Sequence, residues 1–467
     1  MDRSIAQGPP PDPGGALVDA AAPRAWTALA VGLGLALACL VLYHLTRPAH
    51  QVIYDHFAWQ AQAWLDGAFS IEYPVVASAD APGNDYLNDV IPVVDADGFP
   101  TGRGMIPFPP LPAAVLLPFV AVLGLAVDQG LLDAVIGALG VAVAFWVLGR
   151  LGVRPALRFL LALFMGAGTA LWYAASIGST WYFAHVVAAG LALGSVGLAL
   201  DSAGRGDEGD PARQPLLDGR QLAAGFLLGL AATSRLTVAF GFPFLLLVGG
   251  GGWRRRGGSA AIGMAIPILG LLAYNLAATG SLFSPVYEAL YRYEVLAYPD
   301  LGYNAAWSLQ DVRYIPQNLG VMLVSLPTLM PPCDPGVARL AWSASGCSWM
   351  VPEQAGMSLL LTSPAYLLAL PSLALLRDRR VAGALLATLA IAAVNLAHFS
   401  QGWVQFGYRF SLDFAPFLLV AAGLGAERFL GSRGVPRRGR RALVGGLVIL
   451  SIAVQAWGIA WARTLGW

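Results

Sequence analysis

A chain of 467 residues that is 57% hydrophobic and only 12% charged departs from soluble proteins, which run roughly half apolar and about a quarter charged. Its many long, uncharged apolar windows need a bilayer, and a net charge of +1 gives a polyanion such as nucleic acid nothing to hold. All 28 basic residues are arginine, which excludes Schiff-base and P-loop chemistry, since both need a lysine amine.

Residues 1–25, rich in Pro, Gly, Asp and Ala, read as a flexible cytoplasmic tail. Trp26–Leu45 is the first span: 20 residues, or ~30 Å of helix. No small-residue cleavage site follows a short core, so it anchors the chain. The polar stretch Thr46–Pro107 holds Asp55, Asp66, Glu72, Asp80, Asp85, Asp89, Asp95 and Asp97 against Arg47 and Arg103. Phe108–Val127 opens with three prolines, carries Pro118, and reads as a helix lying at the membrane interface.

Further spans are expected at Gly130–Gly149, Phe159–Ala175, Tyr182–Leu200, Ser259–Leu276, Ser358–Leu376, Val381–Phe399, Phe410–Ala426 and Ala442–Ala462. Gln221–Gly250 is too long for one crossing and has Arg235 at its middle, so two short spans meeting there are expected. The fold class is therefore an all-α polytopic membrane protein of about eleven transmembrane helices, residues 26–467 forming a single domain. With the N-terminus inside, 20 arginines fall on internal segments and 8 on external ones, as the positive-inside rule requires. Residues 46–129 then form a long first extracytoplasmic loop with juxtamembrane helices. Residues 277–357 form a second large external segment, Ser400–Arg409 a short external loop, and residues 201–220 a cytoplasmic linker. No internal repeat of the kind that marks many transporters is visible.

In the stretch Tyr54–Gly67, Phe57, Ala61, Trp64 and Leu65 form one stripe of an amphipathic helix lying on the membrane, with Asp55 at its first turn. A carboxylate there is a candidate general base; the alternative is a favourable acid at a helix N-terminus. Arg103, Arg235 and Arg409 reach the same external level, where a guanidinium can hold a phosphate bidentately. The alternative for each is pairing with an acid or snorkelling; for Arg409 the i,i+4 spacing permits a pair with Asp413. Trp172, Tyr173, Trp181 and Tyr182 read as an aromatic belt, and His185 as a packed polar residue. The eight acids could hold a divalent metal ion, but no EF-hand or other ligand spacing is present. Cys333 and Cys347, on the external side with Pro335, Gly336 and Gly346 between them, are expected to form a disulfide; Cys39 remains as an apolar thiol inside the first span.

Taken in order, these elements resemble the GT-C superfamily of polytopic glycosyltransferases, especially the protein-mannosyltransferase and lipid A aminoarabinose-transferase branches. The likeness rests on Tyr54-Asp55 just after the first span, the helix ending Trp64-Leu65-Asp66-Gly67, and Pro109-Pro110-Leu111 before an apolar interfacial helix. It continues in the Gly225–Arg235 run and in Tyr408-Arg409-Phe410 with Pro416. Two departures stand out. The family's Asp-Glu pair is Asp55-His56 here, and the lysine before Pro-Pro is Phe108, which removes one phosphate contact that Arg103 could replace. The resemblance implies transfer of a sugar from a polyprenyl-phosphate donor, with inversion, to an extracytoplasmic acceptor (glycan, lipid or protein) at the cell membrane. Asp55 is then the catalytic base, and Tyr54, His56, Asp89, Arg103, Arg235 and Arg409 are substrate contacts. The rival reading is a polytopic transporter or lipid flippase. The acidic external loop, the missing repeats and the scarcity of charge at mid-membrane depth count against it.

Overall fold

Backbone amides have no water to bond within a bilayer, so apolar runs satisfy themselves as helices. The structure, a computed structural model, describes residues 25–48, 54–72, 89–204, 216–297, 303–329, 350–432 and 436–465. The tail, the core of the 201–220 linker and the expected Cys333–Cys347 bridge lie outside the described residues; Cys39 is a free, buried thiol.

α1 (Ala25–Thr46) leads into the polar stretch, which begins with α2 (His56–Leu65). Three short strands follow: β1 (Ile71–Glu72), β2 (Ile91–Val94) and β3 (Pro100–Met105). They form an antiparallel sheet in the order β1-β3-β2, with Glu72 opposite Arg103. α3 (Leu111–Leu123) packs on α2. The expectation of α2 as a surface stripe needs correcting. His56, Phe57, Ala58, Gln60, Ala61 and Ala63 are all buried, because α3 on one side and Phe183, Ala184 and Val187 on another pack against the helix.

The bundle continues with α4 (Gln129–Arg150), α5 (Pro155–Ala167), α6 (Ala170–Ile177) and α7 (Thr180–Ala203). α5 and α6 are bent by 48° at the break, where the Thr169 hydroxyl accepts the Leu171 amide and starts the new helix. α8 (Gly219–Ala232) stops before Arg235, and a 3-10 turn (Leu236–Gly241) leads to α9 (Phe242–Leu247), so the run does break where the central arginine predicts. Then come α10 (Trp253–Thr279), α11 (Val286–Ala297), α12 (Ile315–Leu323) and α13 (Leu359–Thr362). A 3-10 run (Pro364–Leu375), α14 (Arg379–Leu396), a 3-10 turn (Arg409–Asp413), α15 (Ala415–Gly431) and α16 (Arg437–Leu465) complete the chain.

Among the described residues, α1, α4, α7, α10, α14 and α16 are long and apolar enough to cross a membrane, and α5–α6 makes a seventh if the bent pair is one span. Segments occupy the other four expected places, but α8, the Leu236–Leu247 pair, the Pro364–Leu375 run and α15 are each shorter than that length. α7 is the central helix, 78% buried against 28% for the peripheral α1. α8 lies hard against α10: a Cβ on Gly225 would sit 2.0 Å from the Ala260 carbonyl oxygen, and one on Gly263 2.0 Å from that of Leu222. Such small-residue contacts are how helices associate where lipid removes the hydrophobic drive.

Ion pairs tie the helix ends together at both poles. At one, Arg47 after α1 reaches Asp128 at the start of α4, at 2.6 Å. At the other, Arg150 at the end of α4 meets Asp201 near the end of α7, at 2.8 Å, and Arg154 before α5 meets Glu427 near the end of α15.

Candidate functional site

The first turns of α7 collect most of the chemistry-bearing side chains. The Thr180 amide and hydroxyl both donate to the Tyr54 carbonyl, at 2.8 and 2.9 Å. The Thr180 hydroxyl also takes the His56 amide at 3.0 Å and lies 2.9 Å from His56 Nδ1. This clamp sets Asp55 at the N-cap of α2, yet its carboxylate caps nothing. Asp55 is 8% exposed, and its Oδ1 is buried without a hydrogen-bond partner. Burial pushes its pKa up to about 6. A capping acid would be held down by the amides it accepts from, and Asp55 makes no such side-chain cap.

The next residue, Trp181, lies 4.9 Å from the Tyr54 ring and 5.9 Å from that of His56, and its indole N–H donates to Asp89 Oδ2. Asp89 adopts a left-handed φ of 60°, a cost that residues bear where the surroundings hold them in place. Its carboxylate shares a hydrogen bond with Glu294 of α11. Burial, reinforced by the charge of Asp89, raises Glu294 to about 8. Two carboxyls this close cannot both ionise cheaply, so the pair holds a proton at neutral pH. Sequence reading missed Glu294, whose partner is remote along the chain.

Further along α7, His185 donates or accepts at Nδ1 with Asp413, 2.7 Å away and fully buried. Asp413 also takes Arg235 through Nε (3.4 Å) and Nη2 (3.2 Å), the Thr237 hydroxyl (2.8 Å) and the Asn395 amide (3.2 Å). The Arg409–Asp413 pair that the i,i+4 spacing would permit does not form. The segment is a 3-10 turn, in which residues i and i+3 eclipse and i+4 points elsewhere. Arg409 is buried, has no carboxylate within ion-pair distance among the described residues, and leaves Nε without a partner. Its guanidinium lies over Tyr182 (5.3 Å) and Phe410 (5.6 Å), while Arg235 approaches the same Phe410 ring at 5.0 Å. Gly402 makes room for it: a Cβ there would fall 2.6 Å from Arg409 Nη2.

The structure thus joins Tyr54, Asp55, His56 and Asp89 through α7, and Arg235 and Arg409 through Phe410. Arg103 is engaged elsewhere. Its Nε donates to Ser70 Oγ at 2.7 Å and its Nη2 to the Ser70 carbonyl, fastening β3 to the chain before β1. The aromatic-belt expectation is overturned for Trp172, Tyr173 and Tyr182, which are buried: Tyr173 and Tyr182 pack on one another with Arg409 over the Tyr182 ring, and the Trp172 indole donates to the Thr46 hydroxyl. Asp89 and Glu294 offer two carboxyls, and among the described residues no group of three His, Cys, Asp or Glu could hold a metal ion.

No family model matches the chain, and no curated protein matches its sequence. Among solved structures it is similar to the archaeal oligosaccharyltransferase AglB from Archaeoglobus fulgidus in complex with an inhibitory peptide and a dolichol-phosphate. That match has 12% identity and a TM-score of 0.49, and covers 93% of this chain and 56% of the other. It is also similar to ArnT from Cupriavidus metallidurans bound to undecaprenyl phosphate, with 14% identity, a TM-score of 0.49, and coverage of 95% and 77%. The apo state of ArnT gives a TM-score of 0.48. The chain spans about half the length of the archaeal chains it matches.

Proposed function

We propose that this protein is a membrane glycosyltransferase, moving a sugar from a polyprenyl-phosphate donor to an acceptor hydroxyl or amine at the extracytoplasmic membrane surface. The observation that carries the reading is Arg409, a buried guanidinium with no carboxylate counter-ion among the described residues. A buried, unpaired charge is costly, and a phosphate entering beside Arg409 and Arg235 removes that cost. Glu294 is too protonated at neutral pH to serve as the counter-ion.

In the proposed reaction Asp55 takes the proton from the acceptor nucleophile, which attacks the anomeric carbon. The bond from that carbon to the phosphate oxygen breaks with inversion, and polyprenyl phosphate leaves with its new charge held by the two guanidiniums. Tyr54, His56 and Asp89 line the approach to Asp55. Dolichol-phosphate and undecaprenyl phosphate, bound in the similar structures, are lipid phosphates of the class proposed here.

The test pairs mass analysis of lipids and glycans in a deletion strain with complementation. Wild-type protein should restore the missing glycosylated product. Asp55→Asn should not, while Asp66→Asn, an exposed acid bonded only to Gln62, should. Restoration by Asp55→Asn, or donor-free substrate flux in liposomes, would leave the enzyme reading without support.

A further inference from the structure

At the pole opposite Asp55 the bundle carries a second polar feature. α8 and α14 end at the site, where Arg235 and Asn395 bind Asp413, and begin at the far pole. α14 alone, with 18 residues, separates the two by roughly 27 Å. There Gly249, Gly250, Gly251, Arg256, Arg379 and Arg380 line a cleft of about 300 Å³, the volume of roughly ten waters.

The charge in this cleft is not balanced. Arg256 is 5% exposed; its Nε donates to the Leu246 carbonyl at 2.5 Å and Nη1 to that of Gly251 at 3.0 Å. Those bonds fix the plane of the guanidinium without neutralising it. Among the described residues no carboxylate lies within ion-pair distance of Arg256 or Arg379, whereas Arg380 is paired with Asp378 at 2.6 Å. Two uncompensated guanidiniums therefore face one cavity, the arrangement that favours a doubly bonded oxyanion. Trp253, 65% exposed at the start of α10, has Arg254 over its ring at 5.4 Å. An exposed tryptophan with arginine beside it marks the headgroup level of a membrane, so lipid phosphate is the anion at hand.

We propose that this cleft binds a phosphate group, supplied by the headgroup of an anionic phospholipid, on the membrane face opposite the Asp55 site. Arg256 forms the fixed floor, and Arg379 closes over the phosphate from the exposed rim. The proposal stands independently of what Asp55 does.

Native mass spectrometry of the full chain in detergent, with dioleoylphosphatidylglycerol, dioleoylphosphatidylcholine or inorganic phosphate added, tests it. Phosphatidylglycerol should be retained about tenfold more than phosphatidylcholine, and millimolar phosphate should displace it. Arg379→Glu should abolish that preference. Arg377→Glu, which reverses an exposed charge two residues away and outside the cleft, should keep it. Arg379 is itself exposed, and an unchanged melting temperature in both variants confirms that folding survives; the milder Arg379→Gln serves if Arg379→Glu does not fold. Equal retention of the two lipids, equal loss in the two charge reversals, or no displacement of the lipid by inorganic phosphate would each overturn the assignment.

Discussion

Replacing Asp55 with asparagine should abolish turnover and at the same time make the protein more stable at neutral pH. The carboxyl is raised from 3.8 to about 6 by burial, which at ~1.4 kcal/mol per unit means the folded chain carries the anion at a cost of about 3 kcal/mol. The direction follows from linkage. A carboxyl with a raised folded-state pKa contributes stability that is fully present below pH 3.8 and lost as pH rises through about 6. At pH 7 that contribution is gone, and an asparagine, which never ionises, recovers part of it. Melting temperatures in detergent should therefore be higher for Asp55→Asn than for wild type at pH 7, and the gap should close toward pH 4.

The same shift governs the rate. A base titrating near 6 is about 90% ionised at pH 7 and only about one-tenth ionised at pH 5, so kcat/KM should fall roughly tenfold over that interval. A carboxylate with an ordinary pKa would leave the profile almost flat. A flat profile down to pH 5, or an Asp55→Asn protein less stable than wild type at pH 7, would refute the reasoning, since a structural acid loses stability when it is removed and a base held against its preference gains it.

Glu294, raised to about 8 by burial and by Asp89, keeps its proton below that pH and ionises above it. Its negative charge beside Arg409 should then compete with the donor, raising KM several-fold between pH 7 and 9 in wild type and not in Glu294→Gln. Arg409→Lys and Arg235→Lys keep the charge but lose the planar fork; each should raise KM for the donor about tenfold or more, the scale of one hydrogen bond to a charged group, and unchanged KM in both would remove the phosphate role. Asp413→Asn leaves Arg235 and His185 without their shared buried carboxylate, which should cost about 3–5 kcal/mol of stability, read as a lowered melting temperature and loss of donor binding.

Six of the eleven expected spans, or seven with the bent pair, were legible among the described residues because length and hydropathy report burial in a bilayer directly, and the break at Arg235 was legible because a charge interrupts that pattern. The site was legible only in pieces. Asp55 could be picked from its place after the first span, but the burial that leaves its oxygen unpartnered is a tertiary feature that no local pattern announces. The i,i+4 spacing that would permit an Arg409–Asp413 pair presumes an α-helical repeat through a segment that is 3-10, so sequence could not tell whether that alternative was open. The rings of Trp172, Tyr173 and Tyr182 look like interfacial anchors in any hydropathy plot, since a belt and a buried cluster have the same composition.

Glu294 was invisible for a more general reason. Periodicity reveals which face of a helix is apolar, and thereby which face meets something, but α7 is buried on nearly every side and so presents no amphipathic face to read. Thr180, Trp181, Tyr182 and His185 point in different directions around it, toward Tyr54, Asp89, Arg409 and Asp413 respectively. A helix that organises a site by contacting all its parts must be surrounded by them, and surrounding it erases the pattern by which sequence could have marked it as the organiser. Acids and arginines scattered across the chain become one site only through that helix, which explains why individual residues could be nominated from sequence while their partners could not.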